Sequence, residues 1–530
     1  MQIPLLNSIL SVLGISSQFQ TTDVGYAQFK GIVDQNSQIT NYFGIKYAQS
    51  PTGELRWHAP VPVDETPING PLIDATKESI ACVMEEGYFA PQAKVDRLAS
   101  VPQSEDCLSL NIQTPSNLIN PKDAKLPVLV NIHGGGYLGG DKDVAGTFFI
   151  SQSNNSMVYV SVSYRLGMYG FLSGSQVKEN GSLNAGLLDQ RLALDWVKNH
   201  IEAFGGDPDK ITIIGDSAGG GSVTYQLTAF DAEEPAPFRG AIVQYPWWTP
   251  VWSEDTQEIA FKHVLSTANC TDIACLRALD EPTLKKVSSQ VQRTNGHLPQ
   301  SGFGLFTFSP VVDGNFVRQR PSESFKSGKY QKVPFIVTRS LNEGHGFTSL
   351  DLLDGNQTSA LDRSLVDWKQ KFPTAGTEFQ HEFLSIYPPS NYPNIFDHRR
   401  TWFGDAFIDC PTHTMADIAS PGVPVYKLLF SLGSTYHGAT QAYIFSPYTY
   451  TSVLDQKTST ALASYLNSFV ATGNPNSIMG DEALLWKPYH GKEKEYNILH
   501  MKVGEHVIQT DPDHNERCEF MLEQATIISN

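Results

Sequence analysis

The sequence predicts an α/β protein built on a doubly wound, mainly parallel sheet with helices on both faces. Three observations carry this. Apolar runs of strand length recur along the chain, helical patterns alternate with them, and a glycine-flanked serine stands at one strand-to-helix junction.

The strand candidates are LPVLVNI (126–132), SMVYVSVSY (156–164), KITIIGD (210–216), GAIVQYP (240–246), VPFIVTRS (333–340) and VPVYKLLF (423–430). Their apolar stretches are continuous rather than alternating, which suits strands buried on both faces and therefore parallel neighbours. Between them, 184–204 carries Leu188, Leu192 and Trp196 every four positions. Val197, Ile201 and Phe204 continue that face, while Asp189, Arg191 and Lys198 fall off it. A second helix follows Ser217 and a third fits 458–472. Strands alternating with helices call for right-handed crossovers. The stretch 252–330 has no clear strand run and reads as an insertion over the sheet edge, the place for a lid or substrate pocket. No repeat, low-complexity tract or long linker divides the chain, so 18–530 reads as one domain.

With 530 residues, 40% hydrophobic and 18% charged, the chain is globular and long enough for a large core without help from metals or disulfides. Its net charge of −17 repels phosphate backbones and anionic bilayers, which excludes a nucleic-acid partner and favours a neutral or cationic substrate. Ile3–Ile15 is mostly apolar and uncharged, too short to span a bilayer but suited to the core of a signal peptide, with Gly14, Ser16 and Ser17 as small residues for cleavage. No Lys or Arg precedes it. Residues 1–17 are therefore expected to be a signal peptide and the protein to be secreted, and no later stretch is apolar enough to cross a membrane. The six cysteines allow 15 pairings. None lies in CxxC, and proximity favours Cys82–Cys107 and Cys270–Cys275, leaving Cys410–Cys518. Asn154, Asn180, Asn269 and Asn356 open Asn-x-Ser/Thr triplets and are glycosylation candidates.

The sharpest chemical signal is Gly215-Asp216-Ser217-Ala218-Gly219. Glycines two residues either side of a serine, between a strand and a helix, form a nucleophile elbow that projects the hydroxyl above the sheet. His133-Gly134-Gly135-Gly136-Tyr137 follows another strand directly. Its bare amides, at Gly135 and Gly136, join that of Ala218 as candidate donors to an oxyanion. No Lys-Ser/Thr follows the glycines, so this is not a phosphate loop. His133 reads as a support rather than a metal ligand. A serine nucleophile needs a base oriented by an acid. Glu343 follows VPFIVTRS and His437 follows VPVYKLLFS, as an acid and a base on strand ends would. Asp313 and Asp405 compete for the acid, His345 and His413 for the base. Nine histidines lie more than 100 residues beyond Ser217, so the residues alone leave the choice open.

The chain resembles the type-B carboxylesterase/lipase family, which includes the cholinesterases, and looks closest to fungal secreted carboxylesterases. The resemblance rests on Phe204-Gly205-Gly206-Asp207-Pro208 through Gly219, on Ser104-Glu105-Asp106-Cys107-Leu108-Ser109-Leu110-Asn111-Ile112, and on echoes at Tyr42–Ile45, Asn184–Gln190 and Gly473–Asn476. It runs from about residue 22 to the C-terminus. It implies an α/β-hydrolase fold, hydrolysis of carboxylic esters, Ser217 as nucleophile, Glu343 as acid and His437 as base. It also implies oxyanion donors at Gly135, Gly136 and Ala218, and the bridges Cys82–Cys107 and Cys270–Cys275. The chemistry requires no metal and no organic cofactor, and the expected partner is a small-molecule or lipid-like ester. Three positions depart from the family pattern: Asp216 where Glu is usual, Ala439-Thr440 where many relatives carry an acid, and Pro246-Trp247-Trp248 in place of a smaller, more polar turn. Trp247 and Trp248 either line an acyl pocket, with Tyr137, or pack under the insertion. Two rival functions share this fold: a non-catalytic binding or adhesion protein, and a lactonase, thioesterase, amidase or acyltransferase of a biosynthetic pathway.

Overall fold

The computed structural model describes residues 18–66, 70–78, 80–85, 102–142, 146–294, 298–299, 301–353, 357–445, 453–478, 484–491 and 494–530. The expected signal peptide at 1–17 lies outside the described residues. Among those residues thirteen strands form one sheet. They are β1 (Phe19–Asp23), β2 (Gln28–Asp34), β3 (Ile39–Lys46), β4 (Leu72–Asp74), β5 (Ser109–Pro115), β6 (Leu126–Ile132) and β7 (Val158–Val162). The second half contributes β8 (Gly206–Asp216), β9 (Gly240–Gln244), β10 (Phe335–Ser340), β11 (Val425–Ser431), β12 (Asn497–Lys502) and β13 (Glu505–Thr510). The spatial order is β1-β2-β3-β5-β7-β6-β8-β9-β10-β11-β12-β13, with β4 beside β2.

From β7 to β12 every neighbouring pair is parallel. This centre contains all the strands expected from the apolar runs. The margins are antiparallel along β1-β2-β3-β5-β7 on one side, where only β4 runs parallel to β2, and at β12–β13 on the other. In β2, Phe29, Gly31 and Val33 are buried while their neighbours are not, so no continuous apolar run marks this strand in the sequence.

Alternate residues of the central strands feed two cores. Val128, Val130, Ile132, Ile213, Ala241, Val243 and Val337 pack with Leu187, Leu194 and Val197 of helix α1 (Ala185–His200). Leu129, Ile214, Ile242, Ile336 and Leu428 pack on the other face against Leu462, Leu466 and Phe469 of the helix Val453–Thr472. The expected face of α1 needs correction. Leu188 and Leu192 are only partly buried, whereas Asp189 is fully buried. Arg165 explains this: its Nε and Nη2 donate to the two Asp189 oxygens at 2.8 and 2.7 Å, and its backbone N–H adds a third bond at 3.0 Å. A carboxylate so saturated is stable without water.

The region 252–330 contains no strand among the described residues and three of its helices are Glu254–Ala268, Ile273–Ala278 and Glu281–Thr294. A further helical block, 357–419, was not separated by the sequence reading. It comprises Gln357–Lys371, Thr377–Ile386, Ile395–Gly404 and Cys410–Ala419. Its helices are pinned by Asp367, which holds Lys371 and Arg399 at once. The three expected disulfides are present: Cys82–Cys107, Cys270–Cys275 and Cys410–Cys518. The last closes a loop of 108 residues and ties the C-terminal helix Glu516–Glu523 to the block. No helix among the described residues is long and apolar enough to cross a membrane.

Candidate active site

The parallel register brings five strand ends to one edge. Ile132 pairs with Gly215, Asp216 with Gln244, Thr338 with Gln244, and Ser340 with Phe430. The segments after β6, β8, β9, β10 and β11 therefore leave the sheet together, at the carboxyl ends where α/β sheets bind ligands.

Ser217 joins β8 to helix α2 (Ala218–Thr228) with φ +56° and ψ −121°. This left-handed conformation costs a residue with a Cβ roughly 1–3 kcal/mol. Neighbouring backbone enforces it: Ser217 N–H donates to Gln244 O at 3.1 Å and Trp247 N–H to Ser217 O at 3.2 Å. The flanking glycines are required sterically. A Cβ on Gly215 would lie 2.3 Å from Gly219 O, and one on Gly219 2.1 Å from Ile132 O. The second clash is with the end of β6 rather than with the other glycine.

The glycine loop after β6 lies directly against this turn. A Cβ on Gly134 would stand 2.5 Å from Asp216 O and 3.1 Å from Ser217 Cβ. Gly135 has φ +112° and leaves 2.0 Å to Gly139 O, so it too admits no side chain. The N–H groups of Gly135, Gly136 and Ala218 donate to no acceptor among the described residues. His133 is buried, stacks on Tyr164 at 4.5 Å and bonds Gly134 O through Nδ1 at 2.9 Å. Burial pushes its pKa down, so it braces the loop as a neutral ring.

Glu343 and His437, from the loops after β10 and β11, meet at 2.5 Å between Oε2 and Nδ1. Glu343 is fully buried, and its Oε1 accepts Ser340 N–H. The two loops are joined by the Asn342–Tyr436 bridge. The other imidazole nitrogen, Nε2, is shut off from solvent and has no hydrogen-bond partner among the described residues, so no bond to Ser217 Oγ is formed. The imidazole nevertheless packs on Tyr245 at 4.9 Å and Trp247 at 6.0 Å, the segment whose backbone flanks and holds Ser217.

Residues 18–521 match the model of the Carboxylesterase family. The chain belongs to this family. It is 26% identical to a carboxylesterase (patB) of Penicillium expansum, covering 96% of each chain. It is 29% identical to Secreted lipase 1 of Botryotinia fuckeliana, covering 87% of this chain and 86% of the relative. The crystal structure of Aspergillus niger EstA superposes with a TM-score of 0.82 at 28% identity, covering 97% of this chain and 99% of that one. The fold is the α/β-hydrolase fold, and the protein is a carboxylic ester hydrolase.

The competing acid and base candidates of this carboxylesterase have other partners. Asp313 holds Asn184 and the amides of Asn315 and Val317. Asp405 holds Arg517 and Tyr387. His345 stacks on Tyr436, and His413 bonds Tyr489 and Asp511. Asp405 also clusters with Cys410 and Cys518, a potential metal set whose sulfurs are bonded to each other. Trp247 is fully buried among Phe306, Phe347, Phe403 and Phe407, with centroids 4.6–6.5 Å away, and contacts His437. Trp248 instead packs on Phe325 and bonds Thr224. Tyr137 is fully buried against Phe171. Phe306 was missed in the sequence, where nothing marks it; a Cβ on Gly136 would fall 2.4 Å from its ring. Asn154, Asn180 and Asn269 are exposed, and Asn356 lies outside the described residues.

One buried acid outside this constellation also supports the glycine loop. Glu85 N–H donates to Leu138 O at 2.7 Å, and its carboxylate accepts Met168 N–H, Ser288 Oγ–H and Gln292 Nε2–H. Burial raises its pKa to about 7, against those bonds. The folded chain thus holds this proton more tightly than the unfolded chain, whose Glu titrates near about 4.3. Its contribution is full below that value and is lost as pH rises to about 7. The stability of Glu85→Gln, uncharged throughout, is expected to rise relative to the wild type by on the order of 2–3 kcal/mol between pH 5 and pH 8. Thermal unfolding at the two pH values checks this; equal differences at both would show that Glu85 is ionised in the fold.

Proposed function

We propose that this carboxylesterase is a secreted serine esterase that hydrolyses uncharged, small-molecule or lipid-like carboxylic esters through an acyl-enzyme on Ser217. The observation carrying it is the Glu343–His437 contact of 2.5 Å, with the imidazole seated on the segment that holds the Ser217 turn. In this reading His437 Nε2 takes the Ser217 proton as Oγ bonds the ester carbonyl carbon. The carbonyl oxygen becomes an oxyanion held by the amides of Gly135, Gly136 and Ala218. Each such donor stabilises the transition state by about 3 kcal/mol. The C–O bond to the alcohol then breaks, and the alcohol leaves with the proton from His437. Water, deprotonated by the same nitrogen, attacks the acyl carbon and releases the acid. Glu343 holds Nδ1–H and so selects the tautomer whose Nε2 is free to accept. Trp247 and the phenylalanines around it form the wall for the acyl group.

Relatives named Secreted lipase 1 and Secreted lipase 4, three disulfides and exposed sequon asparagines support an extracellular location. The test is a fluorophosphonate probe followed by peptide mapping. A single adduct on Ser217, formed more slowly while excess p-nitrophenyl ester is being turned over, is the expected result. Labelling elsewhere, or none with hydrolysis intact, defeats the assignment.

A further inference from the structure

Tyr245 follows β9 directly and is fully buried, with φ +35°, a left-handed conformation that a bulky aromatic residue rarely adopts. Its backbone sits in the middle of the catalytic edge. Tyr245 N–H donates to Thr338 O of β10 at 2.6 Å, while its neighbours Gln244 and Trp247 hold the two backbone ends of Ser217. Its ring stands edge-on to the His437 imidazole, 4.9 Å between centroids at 66°. Its hydroxyl oxygen accepts Thr440 Oγ1–H and Gln441 Nε2–H, each at 3.1 Å, from the turn that continues the His437 loop. One side chain therefore touches the base, grips the loop that carries it, and grows from the strand that supports the nucleophile.

We propose that Tyr245 is a positioning residue for His437, its hydroxyl clamping Thr440 and Gln441 so that the imidazole keeps its place against the segment that holds Ser217. This rests on the acyl-transfer reading above. The hydroxyl is what matters, since phenylalanine fills the same volume against the imidazole but leaves Gln441 Nε2 without that acceptor. Burial, with the nearby carboxylates of Asp216 and Glu343, holds the phenol well above its usual range, so the clamp works as a neutral hydroxyl. Thr440 is the other half of the device, because its Oγ1 also accepts Gln244 Nε2–H at 3.4 Å and so links the turn back to β9.

The test uses Tyr245→Phe, Thr440→Val and the double variant on p-nitrophenyl acetate, with the enzyme concentration set by active-site titration. Each single variant is expected to lose on the order of tenfold in kcat with KM unchanged, as for a slightly misplaced base. The rate of fluorophosphonate labelling should fall by the same factor. The double variant should be no slower than either single one, because both remove the same clamp. Wild-type kcat in both single variants overturns the proposal. So does a kcat loss without slower labelling, or losses that multiply in the double variant. A Ser217→Ala control separates the two readings. If that variant is inactive while Tyr245→Phe keeps full kcat, only the role of Tyr245 falls; if it stays active, the acyl-transfer reading falls first.

Discussion

Ser217→Ala is expected to lower kcat for ester hydrolysis by about six orders of magnitude, while the protein folds as the wild type does. On the proposed acyl-transfer mechanism, the size of the effect follows from what remains. Without Oγ no acyl-enzyme forms, and the base has only water to activate. The oxyanion amides and substrate binding persist, so the residual rate should still exceed that in water by roughly 10³–10⁴. Folding should be unaffected because alanine keeps the Cβ. The left-handed φ of +56° is imposed by bonds to Gln244 and from Trp247 and by the fit of Gly215 and Gly219, none of which uses the hydroxyl. A substrate-panel assay beside a melting curve checks both parts. Full activity in the variant overturns the nucleophile assignment, and a collapsed melting temperature would mean that the hydroxyl helps hold the turn.

The second large effect falls on stability. Asp513 accepts Arg339 Nε and Nη2, both at 2.6 Å, and Lys427 Nζ at 2.7 Å, all buried. Burial alone would push its pKa up, but the charges of Arg339 and Lys427 hold it below the usual carboxylate range. Its stabilising contribution is therefore present above the unfolded Asp value of about 3.9 and is lost as pH falls through the lower folded value. Asp513→Ala strips both cations of this partner. Asp511 still holds Lys427, but Arg339 keeps only the Ser340 carbonyl and, as an ion pair within 4 Å, the weaker contact with Asp409 at 3.7 Å. Leaving a buried charge so poorly compensated costs about 3–5 kcal/mol. A fall of that size in unfolding free energy at pH 7, measured in denaturant, is the expected result; an unchanged midpoint would show that water reaches Arg339. Activity should suffer as well, because Arg339 Nη1 donates to Ser340 O and the Ser340 amide holds Glu343.

How much of this was legible beforehand depended on whether the cause was local. The central strands declared themselves because strands covered on both faces carry continuous apolar stretches, and β6, β7, β8, β9, β10 and β11 each contain one. The marginal strands did not: β2 alternates buried and half-buried positions, and β5, though buried throughout, interrupts its apolar residues with Asn111, Gln113 and Thr114. The helical block 357–419 also escaped, and its buried Lys371 and Arg399, with the half-buried Asp367 between them, read as a solvated face until the fold pairs them. Asp189 misled in the same way, since only the distant Arg165 makes its burial tolerable.

The amino-acid order alone determined the serine turn and the glycine loop, because each demand there is steric and lies within a few residues: no Cβ at 215 or 219, bare amides at 135 and 136. It also offered Glu343 and His437 on strand ends as acid and base, with Asp313, Asp405, His345 and His413 left as competitors. Only the tertiary structure decided which of those meet, for Glu343 and His437 are 94 residues apart and come into contact solely through the parallel pairing of β10 with β11. The same holds for Tyr245 and the buried ion network. Their partners are selected by strand register and by the exclusion of water, neither of which any short stretch of the chain encodes.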